Sequence, residues 1–523
     1  MYKFLRFYVM AILLSLLSAV RAERLDSIGR IIVPTALQQD MHARKTASPL
    51  GIALLPRGNF GFSYLEYSHE SGRLMCVQMP ESYERIHLRS LGLYSANRWQ
   101  LYGEFAYSRN YADSVQWLLS EPPRDGMPYY FGSPKKGNWE IETYDIKGTL
   151  SLDVSKLFTA GASVSIRYFK GTRSNDPRPS ATSFLSRYEL FGGLRLPHLS
   201  ALVGGGLGYG TRDNDILYTN PDNDRVLRLD MMSYELMGFG MNRKTQAYHN
   251  RTIESNINSY HAGAQMQWRH DSLTLWARFD YAHQKDIIRR SRTVNVSLST
   301  LSYYYTDKST LDAGLKLLYR GVGLAYVYAP DAEAEEVSDV QGFACLTKGH
   351  DHLLNVLQGQ KNYVYNNKQG GLNALFDVHS NSRRVDRYGL SLGYTIETRK
   401  EGSSEHRYKQ KLFEAGLSWT QQRALCSSYF IFYGLRQQLL LPTATLTYPA
   451  AQENIFTTDI AIPVSRYYSI SQGSSAVHVG AGRNLGRLDL SLLLRYNIAY
   501  ALGDHHGIGG NRRHFDAAII LSF

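Results

Sequence analysis

The sequence predicts an all-β fold: a single transmembrane antiparallel β-barrel of about 18 strands, within a range of about 16–20. Three observations predict it. The first 22 residues read as a secretory signal, the chain beyond them alternates apolar and polar residues at period two, and its connections alternate short with long. A strand tilted across a bilayer needs about ten residues, apolar outside and polar inside. Closing the sheet on itself pairs every backbone amide in lipid, where an open edge cannot persist.

In the signal, Lys3 and Arg6 form the charged region, residues 7–19 the apolar core, and Val20-Arg21-Ala22 a small-residue cleavage site. No cysteine follows that site, so no lipoprotein anchor is expected. Beyond it no run approaches 18 apolar residues, which excludes a membrane helix by this criterion. The 38 Tyr, 44 Gly and mean hydropathy of −0.32 suit a barrel, whose lipid-facing and lumen-facing residues average out. Cys76, Cys345 and Cys426 are odd in number and far apart, so neither a disulfide framework nor zinc is expected. Residues 23–57 lack alternation and contain Pro34, Pro49 and Pro56; they are expected to form a periplasmic lead-in or a small plug. No linker interrupts residues 58–523, which read as one barrel.

The strands are expected, in order, at residues 59–68, 83–94, 99–107, 144–154, 158–168, 188–196, 199–209, 260–268 and 273–281. They continue at 311–319, 322–328, 371–379, 388–398, 413–419, 429–435, 477–483, 488–500 and 514–523. Each carries its apolar residues at alternate positions, as in Leu488, Leu490, Leu492, Leu494, Tyr496, Ile498 and Tyr500. Short turns fall near Asn97, Ser155, Pro197, Asp271, Gly321, Ser382, Ala424 and Leu485, all on one side when counted back from Phe523. Long connections lie opposite, at 211–256 (with an extra hairpin at 231–241), 329–369 and 442–472. Short periplasmic turns and long extracellular loops are the pattern of outer-membrane barrels.

The period places Lys147, Arg167, Arg195, Arg269, Arg278, Lys316, Arg436 and Arg495 toward the lumen, together with Asp145, Asp153, Glu189, Asp280, Asp312, Glu397, Glu414 and Asp489. The signs balance, so no ion selectivity is expected, and pairing across the lumen would rigidify the wall. The formal net charge of +12 is expected mainly in loops, at Lys135-Lys136, Arg289-Arg290-Arg292, Arg399-Lys400 and Arg512-Arg513. Such clusters suit lipopolysaccharide phosphates, although solvated loop charge is the plainer account; without interleaved aromatic platforms they do not suggest nucleic acid. His350 and His352, and His505 and His506, are the weak metal candidates; solvated loop residues are the plainer account. The acidic run from Asp331 to Asp339 reads as a solvated loop. Gly204 to Gly210 shares only its glycines with a phosphate loop and lies in a strand, where glycine permits close packing. No hydrolase signature is present.

With its signal, its Tyr- and Gly-rich alternating segments and its terminal Phe523, the mature chain resembles the uncharacterised outer-membrane β-barrel proteins of Bacteroidota. The resemblance implies the outer membrane of a Gram-negative bacterium as location. It also implies the barrel-assembly machinery as a transient partner, reading Phe515, Ile519, Leu521 and Phe523 as an assembly signal. It supplies no catalytic residue and no cofactor. The chain departs from the TonB-dependent receptors, which place a large folded plug before the barrel. The function expected is a porin-like pore or channel for small solutes, not an enzyme. The alternatives are a barrel serving a neighbouring outer-membrane protein through its loops, and a hydrophobic-solute transporter resembling the long-chain fatty-acid channel.

Overall fold

A computed structural model describes residues 46–522, apart from positions 56, 123–125, 219–231, 245–250, 292–298, 321–334, 354–360, 382–383, 427, 487 and 504–509. Among the described residues the strands are, in chain order, β1 (Phe60–Gly72), β2 (Ser82–Ala96), β3 (Trp99–Val115), β4 (Tyr129–Gly132), β5 (Gly137–Asp153), β6 (Phe158–Arg173) and β7 (Arg178–Arg195). Then come β8 (Leu199–Leu217), β9 (Tyr234–Met237), β10 (Asn242–Lys244), β11 (Arg251–His270), β12 (Leu273–Ser291), β13 (Ser299–Arg320) and β14 (Glu335–Leu353). The last are β15 (Tyr363–Asn381), β16 (Arg384–Glu401), β17 (Arg407–Ala424), β18 (Tyr429–Thr447), β19 (Gln472–Asn484), β20 (Asp489–Ala501) and β21 (Asn511–Ser522).

Eighteen of these form one antiparallel sheet, each beside its chain neighbours; β3 pairs with β5, and β8 with β11. The sheet closes because β1 pairs on both sides, so that Phe62 lies opposite Leu91 of β2 and Ser522 of β21. The barrel is therefore the closed 18-stranded one that the alternation predicts. Burial follows the period: Leu190 and Leu207 on the outward face are 71% and 66% exposed, while inward Leu202 is 1% exposed. A soluble protein would not display such a band of exposed Leu, Val, Phe and Tyr around its circumference, whereas lipid solvates it.

The wall is uneven in height. Strands β11 to β18 have 18–22 residues, and β19, β20, β21 and β1 have 12–13. About ten residues cross a bilayer, so the taller strands stand clear of it at the long-loop end. There the outward positions turn polar, as with exposed Arg407, Lys409 and Lys411 on β17. This corrects two expectations. Arg399-Lys400 and Arg512-Arg513 lie within strands β16 and β21, and Arg289-Arg290 within β12, because the strands run on beyond the apolar band. And β14 occupies the segment expected to be the longest loop. Its outward positions include Gly342 and Ala344, too small to mark a period. The strand expected at 322–328 lies outside the described residues.

The inner face is not uniformly polar, contrary to the polar interior expected of strands that cross a bilayer. Phe430, Phe432, Leu493, Ala518 and Ile520 form a buried apolar patch on β18, β20 and β21, joined by Phe62 and Tyr64 of β1. Two further elements lie inside the ends of the barrel: a short helix, α1 (Pro49–Ala53), and a cap of long loops that contains the β4–β9–β10 sheet and α2 (Ile462–Tyr467).

Candidate functional site

At the short-turn end, α1 is a stopper. All five of its residues are buried, with Pro49 at the N-terminus to start a turn that has no intrahelical donor to lose. Leu50, Ala53 and Leu54 pack on Phe191 and Leu202 of β7 and β8, and Ile52 packs on Leu91, Leu93 and Tyr102 of β2 and β3. The helix thus bridges two parts of the wall. The glycine run on β8 makes this possible: a Cβ on Gly204 would lie 3.3 Å from Leu50 Cδ2, and one on Gly263 of β11 3.3 Å from Leu50 Cδ1. Polar contacts tie down the backbone around it. Lys147 donates to the carbonyls of Thr46 and Ala47, Arg195 Nη2 to that of Ala53 at 2.6 Å, and Gln100 Nε2 to that of Leu55 at 3.3 Å. Arg57 at the rim pairs with Asp153.

Above the stopper the wall is lined by ion pairs. Arg278, almost wholly buried, reaches Asp312 at 2.5 Å and Asp280 at 2.7 Å. Arg89 bonds Glu104 at 2.8 Å, Arg387 meets Asp377 at 2.5 Å, and Arg495 meets Asp516 at 3.4 Å. A chamber of about 260 Å³ between α1, β7, β8, β11 and β12 is lined by Arg187, Glu189, His261, Arg278 and Asp280.

The cap closes the long-loop end. Trp117, Leu119, Tyr130, Phe131, Leu236 and Phe239 of the loops pack into one apolar core with inward residues of the wall, among them Ile216, Ile253, Ile288, Tyr304 and Tyr408, and with Phe456 and Ile460 near α2. Three wall groups anchor it, of which Asp351 and Glu401 are buried. Arg290 Nη1 contacts both carboxylate oxygens of Glu235 on β9, at 3.0 and 2.9 Å. Tyr129 donates to Asp351 at 2.8 Å, and Glu401 accepts from the Met241 amide and from Asn362, each at 3.0 Å. Burial, then the Asp351 charge, pushes the Tyr129 hydroxyl well above the usual range.

The tip Gly238-Phe239-Gly240 inserts Phe239 edge-on to Phe456, 5.3 Å between centroids. Both glycines have positive φ (126° and 124°), and a Cβ on Gly240 would strike Ser404 and His406, so only glycine fits there. His406 is the hub: Nδ1 lies 3.0 Å from the Ser404 carbonyl, Nε2 2.7 Å from the Thr457 hydroxyl, and the ring stacks on Tyr448 at 5.4 Å. Burial holds its basicity below the ordinary histidine value. Under the cap is a cavity of about 680 Å³, lined by Tyr83, Tyr130, Trp139, Phe169, Phe239 and Phe456 with Arg167, Arg399 and Glu121.

The structure places the expected lumen residues as follows. Lys147, Arg167, Arg195, Arg278, Arg436, Arg495, Asp145, Asp153, Glu189, Asp280, Asp312, Glu397, Glu414 and Asp489 share the strand faces opposite the exposed apolar band; Arg269 and Lys316 share that face at the exposed short-turn rim. Asp145 reaches Arg167 at 3.7 Å and Glu414 accepts from Gln438 at 2.5 Å. Glu397 pairs with Arg399 at 2.6 Å. Phe515 and Ile519 are exposed on the outward face of β21, and Phe523 lies outside the described residues. His350 and His352 lie on the outward face of β14, rings 5.4 Å apart beside Tyr305, not in a loop; His505 and His506 lie outside the described residues. Among the described residues no three His, Cys, Asp or Glu side chains converge to hold a metal. All three cysteines are free. Sequence reasoning missed Glu401, His406 and the aromatic cavity, because side chains from distant loops assemble them. Arg399 shares Glu397's parity, which is the one signal that pointed inward.

DUF6850, a family of unknown function, matches residues 49–523. No curated protein matches the chain. Solved structures similar to it include the ferric preacinetobactin receptor BauA from Acinetobacter baumannii, 8% identical, with 90% of this chain and 80% of that chain covered and a TM-score of 0.38. The siderophore receptor PiuA from the same organism is 10% identical over 90% and 82% of the two chains, with a TM-score of 0.38. The monoaromatic hydrocarbon channel TodX, as a deletion mutant, is 11% identical over 92% and 94%, with a TM-score of 0.32.

Proposed function

The chain belongs to the DUF6850 family of unknown function, and from that premise we propose that it is a gated transporter of small solutes across the outer membrane of a Gram-negative bacterium. The observation that carries this reading is that packed elements lie inside both ends of the barrel: α1 is buried against β2, β3, β7 and β8 at the short-turn end, and the aromatic cap packs into one apolar core with the wall at the long-loop end. On this reading α1 is the periplasmic closure and the cap the extracellular one. A diffusion porin keeps a water-filled path through a barrel of this size; here solute passes only when both closures yield. The ion-paired lumen between them is wet enough for a polar or charged solute. On this reading the basic outward face at Arg407, Lys409 and Lys411 meets lipopolysaccharide phosphates, and β21 with its outward Phe515, Ile519 and Leu521 is the strand read during barrel assembly.

Planar-bilayer conductance tests the reading. Four proteins are compared: intact, lacking residues 23–57, carrying Phe239→Ala with Phe456→Ala in the cap, and carrying both changes. Steady large conductance is expected only from the last. A large steady current from the intact protein would make it an open pore. Silence from all four, with heat-modifiable gel mobility intact, would move the function to the outer loops and a partner.

A further inference from the structure

We propose that the cavity beneath the cap is a binding site for a small aromatic solute bearing a carboxylate, which on the transporter reading is the cargo. The cavity, about 680 Å³, is the size of a site for a drug-sized molecule. Its lining favours a flat, unsaturated body. Rings come from several elements: Tyr83 on β2, Trp139 on β5, Phe169 on β6, Tyr130 on β4, and Phe239 and Phe456 in the roof. Offset and edge-on contacts with rings on several sides suit a planar π system better than a flexible alkyl chain.

Charge selects the substituent. The lining has two guanidinium groups, Arg167 and Arg399, against the single carboxylate of Glu121. Arg399 binds Glu397 through Nε at 2.6 Å, and Arg167 reaches its partner Asp145 only at 3.7 Å. Guanidinium groups with donors to spare beside an aromatic lining favour a carboxylate and repel a cation. Because Phe239 and Phe456 belong both to the roof and to the cap, occupancy of the site and the position of the cap are coupled.

Isothermal titration of the full-length protein in detergent, with three probes on one naphthalene body, tests this. Binding is expected to be tightest for 1-naphthoate, about tenfold or more weaker for 1-naphthalenemethanol, and weakest for 1-naphthylmethylammonium. Arg167→Gln, at a side chain away from the cap, is expected to shrink the preference for naphthoate over the alcohol. No binding of any probe, equal binding of the cation, or a charge preference unchanged in both Arg167→Gln and Arg399→Gln would overturn the proposal. The titration needs no membrane, so the two readings fail separately. A protein that binds naphthoate but never conducts refutes transport, and one that conducts but binds no probe refutes this site.

Discussion

The stopper offers the sharpest quantitative test, through Leu50→Ala. Leu50 is 1% exposed and sits between Gly204 and Gly263, neither of which has a side chain that could move into the space it leaves. Buried Leu→Ala changes cost about 2–5 kcal/mol, the larger values where the site cannot collapse; about 3–4 kcal/mol is therefore expected here. The loss falls on docking of the segment, since the barrel wall keeps all its backbone hydrogen bonds. At about 1.4 kcal/mol per decade, the undocked population rises roughly 100- to 1,000-fold. Lys147 reports it directly, because its ammonium donates to the carbonyls of Thr46 and Ala47 while the segment is docked. Amine-reactive labelling at fixed pH, read site by site by mass spectrometry, should show Lys147 labelling accelerated by that factor in Leu50→Ala, with Lys156 in the short turn at 154–157 unchanged. A Leu50→Ala protein that labels Lys147 at the wild-type rate, while removal of residues 46–57 exposes it fully, would refute the reasoning. The polar tethers from Lys147, Arg195 and Arg57 would then hold the segment, not its apolar face.

The cap should be pH-sensitive through His406, whose basicity is depressed by burial. A depressed histidine leaves stability fully present above its unfolded value near 6.5 and loses it as pH falls below that value, because the open state takes up the proton more readily. Proteolysis of the cap is expected to accelerate between pH 7 and 5 in the native protein, and the His406→Gln protein should show a flat profile over that range. Glu401→Ala removes the acceptor for the Met241 amide and Asn362; the loss of about 2–4 kcal/mol should appear as faster hydrogen exchange at residues 238–241 with β16 itself protected. In the wall, Asp312→Ala removes one of the two carboxylates that Arg278 reaches, and about 3–5 kcal/mol of destabilisation should lower the temperature at which gel mobility changes. An unchanged transition there would mean that lumen water satisfies Arg278.

Lipid made most of the fold readable. Where a strand crosses the bilayer, its outward side chains must be apolar and its backbone closed, so Leu488 to Tyr500 or Tyr144 to Val154 announce themselves by period alone. That constraint ends at the membrane surface. Above it Arg407, Lys409 and Lys411 point outward at no cost, so the upper halves of the tall strands looked like loop and the basic pairs within them like loop charge. On β14, Gly342 and Ala344 satisfy lipid without marking a period. On β18 the inward Phe430 and Phe432 alternate with outward Tyr429, Ile431 and Tyr433, which leaves an unbroken apolar run and hides the non-polar patch on the inner wall. The charged lumen face follows from period two, but the stopper does not: Pro-Leu-Gly-Ile-Ala is too short for any helical periodicity. The cap was least legible of all, since its core joins residues from β4, β9, β17 and the 448–471 loop that only tertiary packing brings together.

Those unread parts are also the parts the barrel does not need in order to stand. A closed sheet in lipid satisfies its backbone within the wall, and the lumen charges pair within the wall as well, as Arg278 does with Asp280 and Asp312 or Arg387 with Asp377. No filled core is required of such a barrel. Yet two buried apolar clusters, one around Leu50 and one around Phe239, occupy its ends, and the cap is held by single buried anchors, Glu235, Asp351 and Glu401, not by strand pairing with the wall. Closures attached in this way can detach without unfolding the barrel. It follows that the energy holding α1 and the cap in place is set locally, by a few side chains, and that it can be changed independently of the stability of the wall.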